Sequence, residues 1–255
     1  MMVQTFVRFR QHNRKQWGLQ KDGQLLVLSA APWEPESRPT GEQVDASSVE
    51  WLAPCEATKI VCVGLNYHDH AAEMGEALPE EPKIFLKPVS ALLDPGKSIV
   101  LPRSAARVDY EAELAFVVGK RVGPGLDDED AIFGYTCAND VTARDLQKKD
   151  GQWTRAKGFD TFCPLGPTLV RGVDPSDLAV ECWVNGQRKQ GSRTKQLIFG
   201  PQQILNFIAD VMTLEPGDVI LTGTPGGIGP LQAGDEVEVR IQSIGSLSNL
   251  CINPN

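Results

Sequence analysis

A chain of 255 residues, 41% hydrophobic and 23% charged, has an ordinary globular composition and can hold one large domain or a small one beside a larger one. Its formal net charge of −8 and isoelectric point near 5.0 argue against a nucleic-acid or anionic-membrane surface, although a bound metal can reverse the field within one cleft. There is no apolar run of membrane-spanning length, no basic-then-apolar leader at Met1–Phe6 and no Cys-x-x-Cys pair among the six cysteines, so we expect buried free thiols in a cytoplasmic protein.

The first residues read as short strands at Thr5–Phe9, Gln16–Leu19 and Gln24–Leu28, with Lys21-Asp22-Gly23 as the hairpin turn between the last two. Residues 32–50, broken by Pro32, Pro35, Pro39 and Gly41, read as a connector. We therefore expect a small β-rich N-terminal module over residues 1–54 and the main domain over 55–255. The main domain opens with a buried strand at Lys59–Leu65, then a short helix that Asn66 or Asp69 caps and Gly75 ends. A strand at Lys83–Lys87 and a Pro95-Gly96 turn lead to an acidic strand, Val108–Val118, and Ala131–Asp140 reads as another strand.

Polar, glycine-containing residues 145–158 suit a mobile loop, and Asn185-Gly186 marks a hairpin. Pro201–Met212 is the clearest helix, with Ile204, Leu205, Phe207, Ile208, Val211 and Met212 along one face. Strands at Asp218–Thr222 and Glu236–Ile241, each preceded by a Gly-Asp turn, complete the pattern. Strands outnumber helices and several return through hairpins. The pattern predicts an α+β, mainly β fold with antiparallel segments, not a doubly wound sheet.

Side-chain alternation places Asp109, Glu111 and Glu113 on one face of the acidic strand and Tyr110, Ala112, Leu114, Phe116 and Val118 on the other. The carboxylates repel one another with no lysine or arginine between them, which fits either a solvated edge-strand face or a bound cation. Asp140, at the end of its own strand, supplies a third ligand if Glu111 and Glu113 bind a metal. Three carboxylates favour Mg²⁺, with Mn²⁺ and Ca²⁺ as alternatives, over zinc.

His70 and Glu73 are spaced i, i+3 and are adjacent on a helix face, where a carboxylate can orient an imidazole that activates water. The Gly/Pro-rich run Leu221–Gly229 lacks the Lys-Ser/Thr of a P-loop and is either a plain turn or a backbone nest for a carboxylate. Arg144 and Lys157 are surface charges taken singly, or ligands for a dianionic substrate if drawn into a cleft with a metal.

Taken in order, several segments resemble the fumarylacetoacetate hydrolase family: Val63–Glu73, Phe85-Leu86-Lys87-Pro88, Asp109–Leu114, Asn139–Gln147, Lys157-Gly158-Phe159-Asp160 and Met212–Pro225. The resemblance runs from about Lys59 to the C-terminus. It implies a rolled mixed β-sheet, a homodimer, and Glu111, Glu113 and Asp140 as metal ligands. It also implies a His70/Glu73 dyad on a lid that orders with substrate. Lys157, Arg144, Gln147, Gly223 and Thr224 match positions around the substrate's carboxylate and oxo groups.

A small anionic 2-oxo acid is the substrate these parts imply. Hydrolysis of a C–C bond in an acylpyruvate-type acid, with His70 activating water, is the leading expectation. Oxaloacetate decarboxylation is an alternative on the same site, as is keto–enol or double-bond isomerisation of the 2-hydroxyhepta-2,4-diene-1,7-dioate type. Chemistry on sugar-derived 2-oxo acids is a further one. A noncatalytic ion-binding β module would need the acids but not His70, Glu73 and Lys157 together.

Overall fold

The computed structural model describes residues 2–125 and 130–254; Met1, where the segment read for a leader begins, lies outside the described residues, as do 126–129 and Asn255. Strands β1 (Gln4–Gln11), β2 (Arg14–Lys21) and β3 (Gln24–Leu28) form an antiparallel meander, with the expected hairpin between β2 and β3. The connector expected over 32–50 is largely ordered instead. β4 (Pro39–Asp45) pairs with β3, and β5 (Glu50–Leu52) pairs with β1. Pro39 is no obstacle, because β4 is outermost and owes no further ladder bond.

The main body continues with β6 (Ile60–Gly64), α1 (His68–Met74), β7 (Lys83–Lys87), β8 (Leu92–Leu93) and β9 (Ile99–Val100). Next come β10 (Val108–Tyr110), β11 (Ala112–Val118), β12 (Ile132–Asn139) and β13 (Thr142–Ala143). Helices α2 (Arg144–Asp150) and α3 (Thr154–Lys157) lead into β14 (Cys163–Arg171), β15 (Ala179–Val184) and β16 (Gln187–Arg193). The chain ends with α4 (Pro201–Val211), β17 (Val219–Leu221), β18 (Gly229–Pro230), β19 (Glu236–Ile241) and β20 (Gly245–Ile252).

One mixed sheet of twelve strands runs β4-β3-β2-β1-β14-β12-β11-β17-β6-β7, with β5 added on β1 and β8 on β14. A second sheet runs β16-β15-β19-β20-β9. The architecture is the mainly β, α+β fold of mixed sheets that the sequence predicts. β1 pairs directly with β14, so the N-terminal strands extend the main sheet.

β11 lies in the middle of the large sheet and is buried on both faces. Leu114, Phe116 and Val118 pack with Val180 and Val239 of the second sheet and with Ile204, Leu205 and Ile208 of α4. Ala115 and Val117 point the other way, toward Phe6, Trp17 and Leu169. Each large apolar side chain buried here contributes about 1.5–3 kcal/mol. Polar residues carried on the same strand are drawn inside with it. α4 keeps most of its expected face, but Val211 at its end is 56% exposed. All six cysteines are buried free thiols, as read.

The parallel pair β6 and β17 is tied together by Asp218, which is wholly buried in the turn before β17. Its carboxylate accepts from the backbone N–H groups of Thr58, Lys59 and Glu215 and ion-pairs with Lys59 Nζ at 2.6 Å. Burial alone would raise its pKa, but these bonds outweigh that and hold it below the ordinary 3.8. A lowered folded-state pKa means the stability is present above the ordinary value and is lost as pH falls through the folded one. Asp218→Asn is expected to cost about 3 kcal/mol of unfolding free energy in urea titrations at neutral pH. That deficit against the wild type should shrink as the pH drops below about 4.

Candidate metal centre and active site

The acidic strand expected over Val108–Val118 breaks at Glu111. β10 pairs with β13 and β18 in a small third sheet, whereas β11 pairs with β12 and β17. At the break the Glu111 N–H donates to Asn139 Oδ1 at 2.9 Å, and its carbonyl accepts from the Asp140 N–H at 2.9 Å. No backbone group of Glu111 is left stranded in the interior. The β11–β12 register sets Ala112 opposite Asn139 and Glu113 opposite Ala138, which brings both glutamates beside Asp140.

Ligand oxygens of Glu111, Glu113 and Asp140 lie within 4.8 Å of one another, and the three residues are 6%, 1% and 1% exposed. The solvated-face alternative is therefore excluded. Asp109 is buried too but stays out of the cage. It accepts from Arg107 Nε at 2.7 Å and Arg144 Nε at 2.9 Å.

Three buried anions require counter-charge. Lys157 Nζ lies 2.5 Å from Asp140 Oδ2 and 2.9 Å from Glu111 Oε2. Lys87 Nζ donates to Asp140 Oδ1 at 2.6 Å, and Arg144 ion-pairs with Glu111 Oε1. Glu113 differs. Its Oε2 accepts the Gly223 N–H at 2.6 Å, and it forms no ion pair with the described residues.

Burial, reinforced by Asp140 and Glu111, pushes the Glu113 carboxyl well above its usual pKa. Burial acts the same way on Glu111, but the charges of Lys157 and Arg144 outweigh it and hold that carboxyl low. For Lys157, burial favours the neutral amine, and Asp140 and Glu111 overcome this and raise its pKa. The donor set is all oxygen, without thiolate or imidazole, and positive charge is short at Glu113. These residues fit a hard divalent cation.

A cleft of about 520 Å³ opens over the cage. α1 brings His70 and Glu73 to it, one turn apart. His70 Nδ1 is 3.5 Å from Glu73 Oε2, longer than a formed hydrogen bond. Glu73 Oε2 instead accepts the Gly227 N–H at 2.9 Å, and Asp69 Oδ2 accepts from the Ser192 hydroxyl.

The Gly/Pro-rich loop thus holds two carboxylates of the protein itself, Glu113 through Gly223 and Glu73 through Gly227. Gly223 has φ of 100°, and a Cβ there would stand 2.8 Å from the Cβ of Asn66, so only glycine fits. Neither Asn66 nor Asp69 caps α1; its N-cap is Tyr67, without a side-chain cap bond. The buried Asn66 side chain is committed elsewhere, donating to the Phe199 and Thr222 carbonyls and accepting the Phe199 N–H.

The loop expected over 145–158 is largely helical, as α2 and α3. Buried Leu146 anchors α2, which presents Arg144, Gln147 and Lys148 to the cleft. Arg144 also donates to Gln147 Oε1 at 2.6 Å, so three of its five N–H donors are committed and two are left. Thr224 lines the cleft, but its hydroxyl donates to the Ala112 carbonyl at 3.0 Å and accepts from Gln190 Nε2 at 2.9 Å. Gly223 reaches the site only through Glu113. Every other predicted site residue lines this one cleft.

Three contributors escape the sequence reading of roles: Lys87, Asn139 and Gln190. Lys87 did carry a signal. Strand alternation puts it on the same face as Phe85, and a lysine facing inward implies a buried counter-ion. Asn139 and Gln190 carried none. Gln190, for instance, accepts the N–H of Ala112, which is 78 positions away.

A buried cage of acidic side chains that could hold a metal opens to a cleft with a histidine–carboxylate pair, on a mainly β fold. The family model described as Fumarylacetoacetate (FAA) hydrolase C-terminal matches residues 59–251, and one described as Rv2993c-like, N-terminal, matches residues 5–54. The chain belongs to the fumarylacetoacetate hydrolase family.

It is 45% identical over 219 residues to the oxaloacetate tautomerase fahd2, mitochondrial, of Xenopus laevis, covering 80% of this chain and 68% of that one. The crystal structure of 2-hydroxyhepta-2,4-diene-1,7-dioate isomerase from Mycobacterium marinum is 40% identical, with a TM-score of 0.90 and 99% of both chains covered. The structure of 5-carboxymethyl-2-hydroxymuconate delta-isomerase from Mycobacterium smegmatis is 41% identical, also with a TM-score of 0.90, covering 98% of this chain and 100% of that one. Among the described residues no helix is long and apolar enough to cross a membrane.

Replacing Glu113 with glutamine removes a buried carboxyl that its surroundings disfavour as an anion but keeps an acceptor for the Gly223 N–H. The metal-free variant should therefore melt at or above the wild-type temperature. If the cage holds a divalent cation, the rise in Tm that the cation brings to the wild type should be lost in the variant, a contrast that differential scanning calorimetry reads directly. Because the Glu113 carboxyl must be ionised to bind a cation, the affinity of the cage for a divalent cation should fall as the pH is lowered.

Proposed function

We propose that the protein is a divalent-metal-dependent isomerase of small 2-oxo acids that moves a proton between carbon and oxygen in keto–enol tautomerisation. One observation carries the reading: the Glu111/Glu113/Asp140 cage and the His70–Glu73 pair line a single cleft, in a chain 45% identical to an oxaloacetate tautomerase. The names of the two isomerases at 40% and 41% identity also favour isomerisation over C–C hydrolysis.

A divalent cation held by Glu111, Glu113 and Asp140, which we take to be Mg²⁺, supplies Lewis-acid polarisation of the 2-oxo acid. The chain's own residues do the rest. Lys157 and Arg144 hold fixed positive charge beside the cage, and Phe85 and Trp153 line the cleft with apolar surface, which strengthens that field. His70 takes a proton from C3 of the keto form as the C3–H electron pair moves into a C2–C3 double bond. The imidazolium of His70 then gives that proton to the 2-oxo oxygen and returns to its starting state, so the atoms balance without water.

Glu73, 3.5 Å from His70 Nδ1 on the next turn of α1, is placed to orient the imidazole as the pair closes, and the Gly227 N–H holds Glu73 beside it. Such positioned proton transfer is worth about 10²–10⁴-fold in rate. The decay of enol-oxaloacetate, followed by its ultraviolet absorbance, should be accelerated only with Mg²⁺ and abolished by EDTA. His70→Ala should lower kcat at least about 100-fold. Faster release of pyruvate from acetylpyruvate than tautomerisation of oxaloacetate would restore the hydrolytic reading.

A further inference from the structure

Two cavities meet at one indole. Beside the cleft over the cage, of about 520 Å³, lies a second cavity of about 590 Å³, and Lys83, Phe85 and Trp153 line both. β7 is outermost in its sheet, and alternation turns Ile84 and Leu86 to the face opposite Phe85. Ile84 and Leu86, with Met212 from the end of α4, line the second cavity and not the first, and give it apolar walls.

The neighbours of Trp153 seat it between these spaces. Its ring lies against Gly64 at the end of β6, where a Cβ would stand 2.6 Å from the indole, so the ring requires a glycine there. It meets Phe85 edge to face, with ring centroids 5.0 Å apart. Phe85 in turn lies 5.1 Å from Lys157 Nζ, which is 2.5 Å from Asp140 of the cage. A carbon chain that leaves the cage along Phe85 therefore meets the indole, and the second cavity begins behind it.

We propose that Trp153 is a specificity-determining residue: its indole closes the cleft against the second cavity and restricts the substrate to 2-oxo acids with a short side chain. This rests on the reading of the cage as the seat of the 2-oxo acid end. Removing the indole joins the two spaces and gives a longer chain apolar surface to bury. Trp153 is the N-cap of α3 without a side-chain cap bond, and its carbonyl accepts the Lys157 N–H at 2.9 Å. Substituting the side chain therefore takes no hydrogen bond from that helix.

Calorimetric titration with Mg²⁺ present tests the partition in the wild type, Trp153→Ala and Trp153→Leu, with oxalate, 2-oxobutanoate and 2-oxooctanoate as probes. Oxalate reports the cage end alone, and the two monoacids differ by four methylenes, each worth about fourfold in affinity when buried. The wild type should prefer 2-oxooctanoate by less than about fivefold, because the indole keeps the tail from the second cavity. That preference should rise at least about tenfold in Trp153→Ala, with Trp153→Leu moving in the same direction. A larger preference already present in the wild type would overturn the partition, as would variants that bind oxalate and leave the preference where it was. Loss of oxalate binding in both variants would overturn it too, because Trp153 would then support the cage end itself. If the wild type does not bind oxalate, the cage reading fails and the partition fails with it.

Discussion

Three carboxylates held in the interior within one cage are the constraint on which the rest of this structure depends. An isolated buried carboxylate is expensive, and three together repel, so counter-charge has to be delivered from several parts of the chain. β7 delivers Lys87, α2 delivers Arg144 and α3 delivers Lys157. This is why two short polar helices fold down onto the sheet where the sequence pattern suggests a loop. It is also why a lysine at the end of α3 is only 2% exposed. Positive charge is short at Glu113, which has a backbone N–H for company and no ion pair among the described residues, so the cage fits a metal.

The cage and the His70–Glu73 pair are mechanically linked through backbone. β6 and β17 run parallel, and their C-terminal ends lead into α1 and the glycine-rich loop respectively. Gly223 in that loop grips Glu113, and Gly227, four residues on, grips Glu73. Asn66 clasps the start of the helix segment to the Thr222 carbonyl at the head of the loop. A single loop therefore registers the helix wall against the floor, and rigid strands fix where the loop begins. Catalytic groups held this way need little reorganisation as charge develops.

Cage, lysine and histidine are compatible with several outcomes for a 2-oxo acid, because all of them pass through stabilised negative charge on the 2-oxo oxygen. The outcomes part at the next step, where a proton moves, carbon dioxide leaves or water attacks. In the proposed isomerase His70 only relays a proton.

By itself the sequence determined the element types that carry strong local signals: the hairpins at Asp22-Gly23 and Asn185-Gly186, the buried strand Ile60–Gly64, and the helix that begins at Pro201. It also determined which acids could form the cage, because ordered motifs name Glu111, Glu113 and Asp140 without any knowledge of their distances. Tertiary structure alone decided that the acidic strand breaks at Glu111, since the break depends on Asn139 meeting a backbone N–H from another strand. It decided as well that residues 144–157 are helical and that Lys87 and Gln190 belong to the site. Asn66 reads as a helix cap in sequence but is committed to carbonyls more than a hundred positions away. Local propensity reports what a residue does with its neighbours in the chain. The counter-charges and buried hydrogen bonds of this site are set by residues brought together only when the sheets pack.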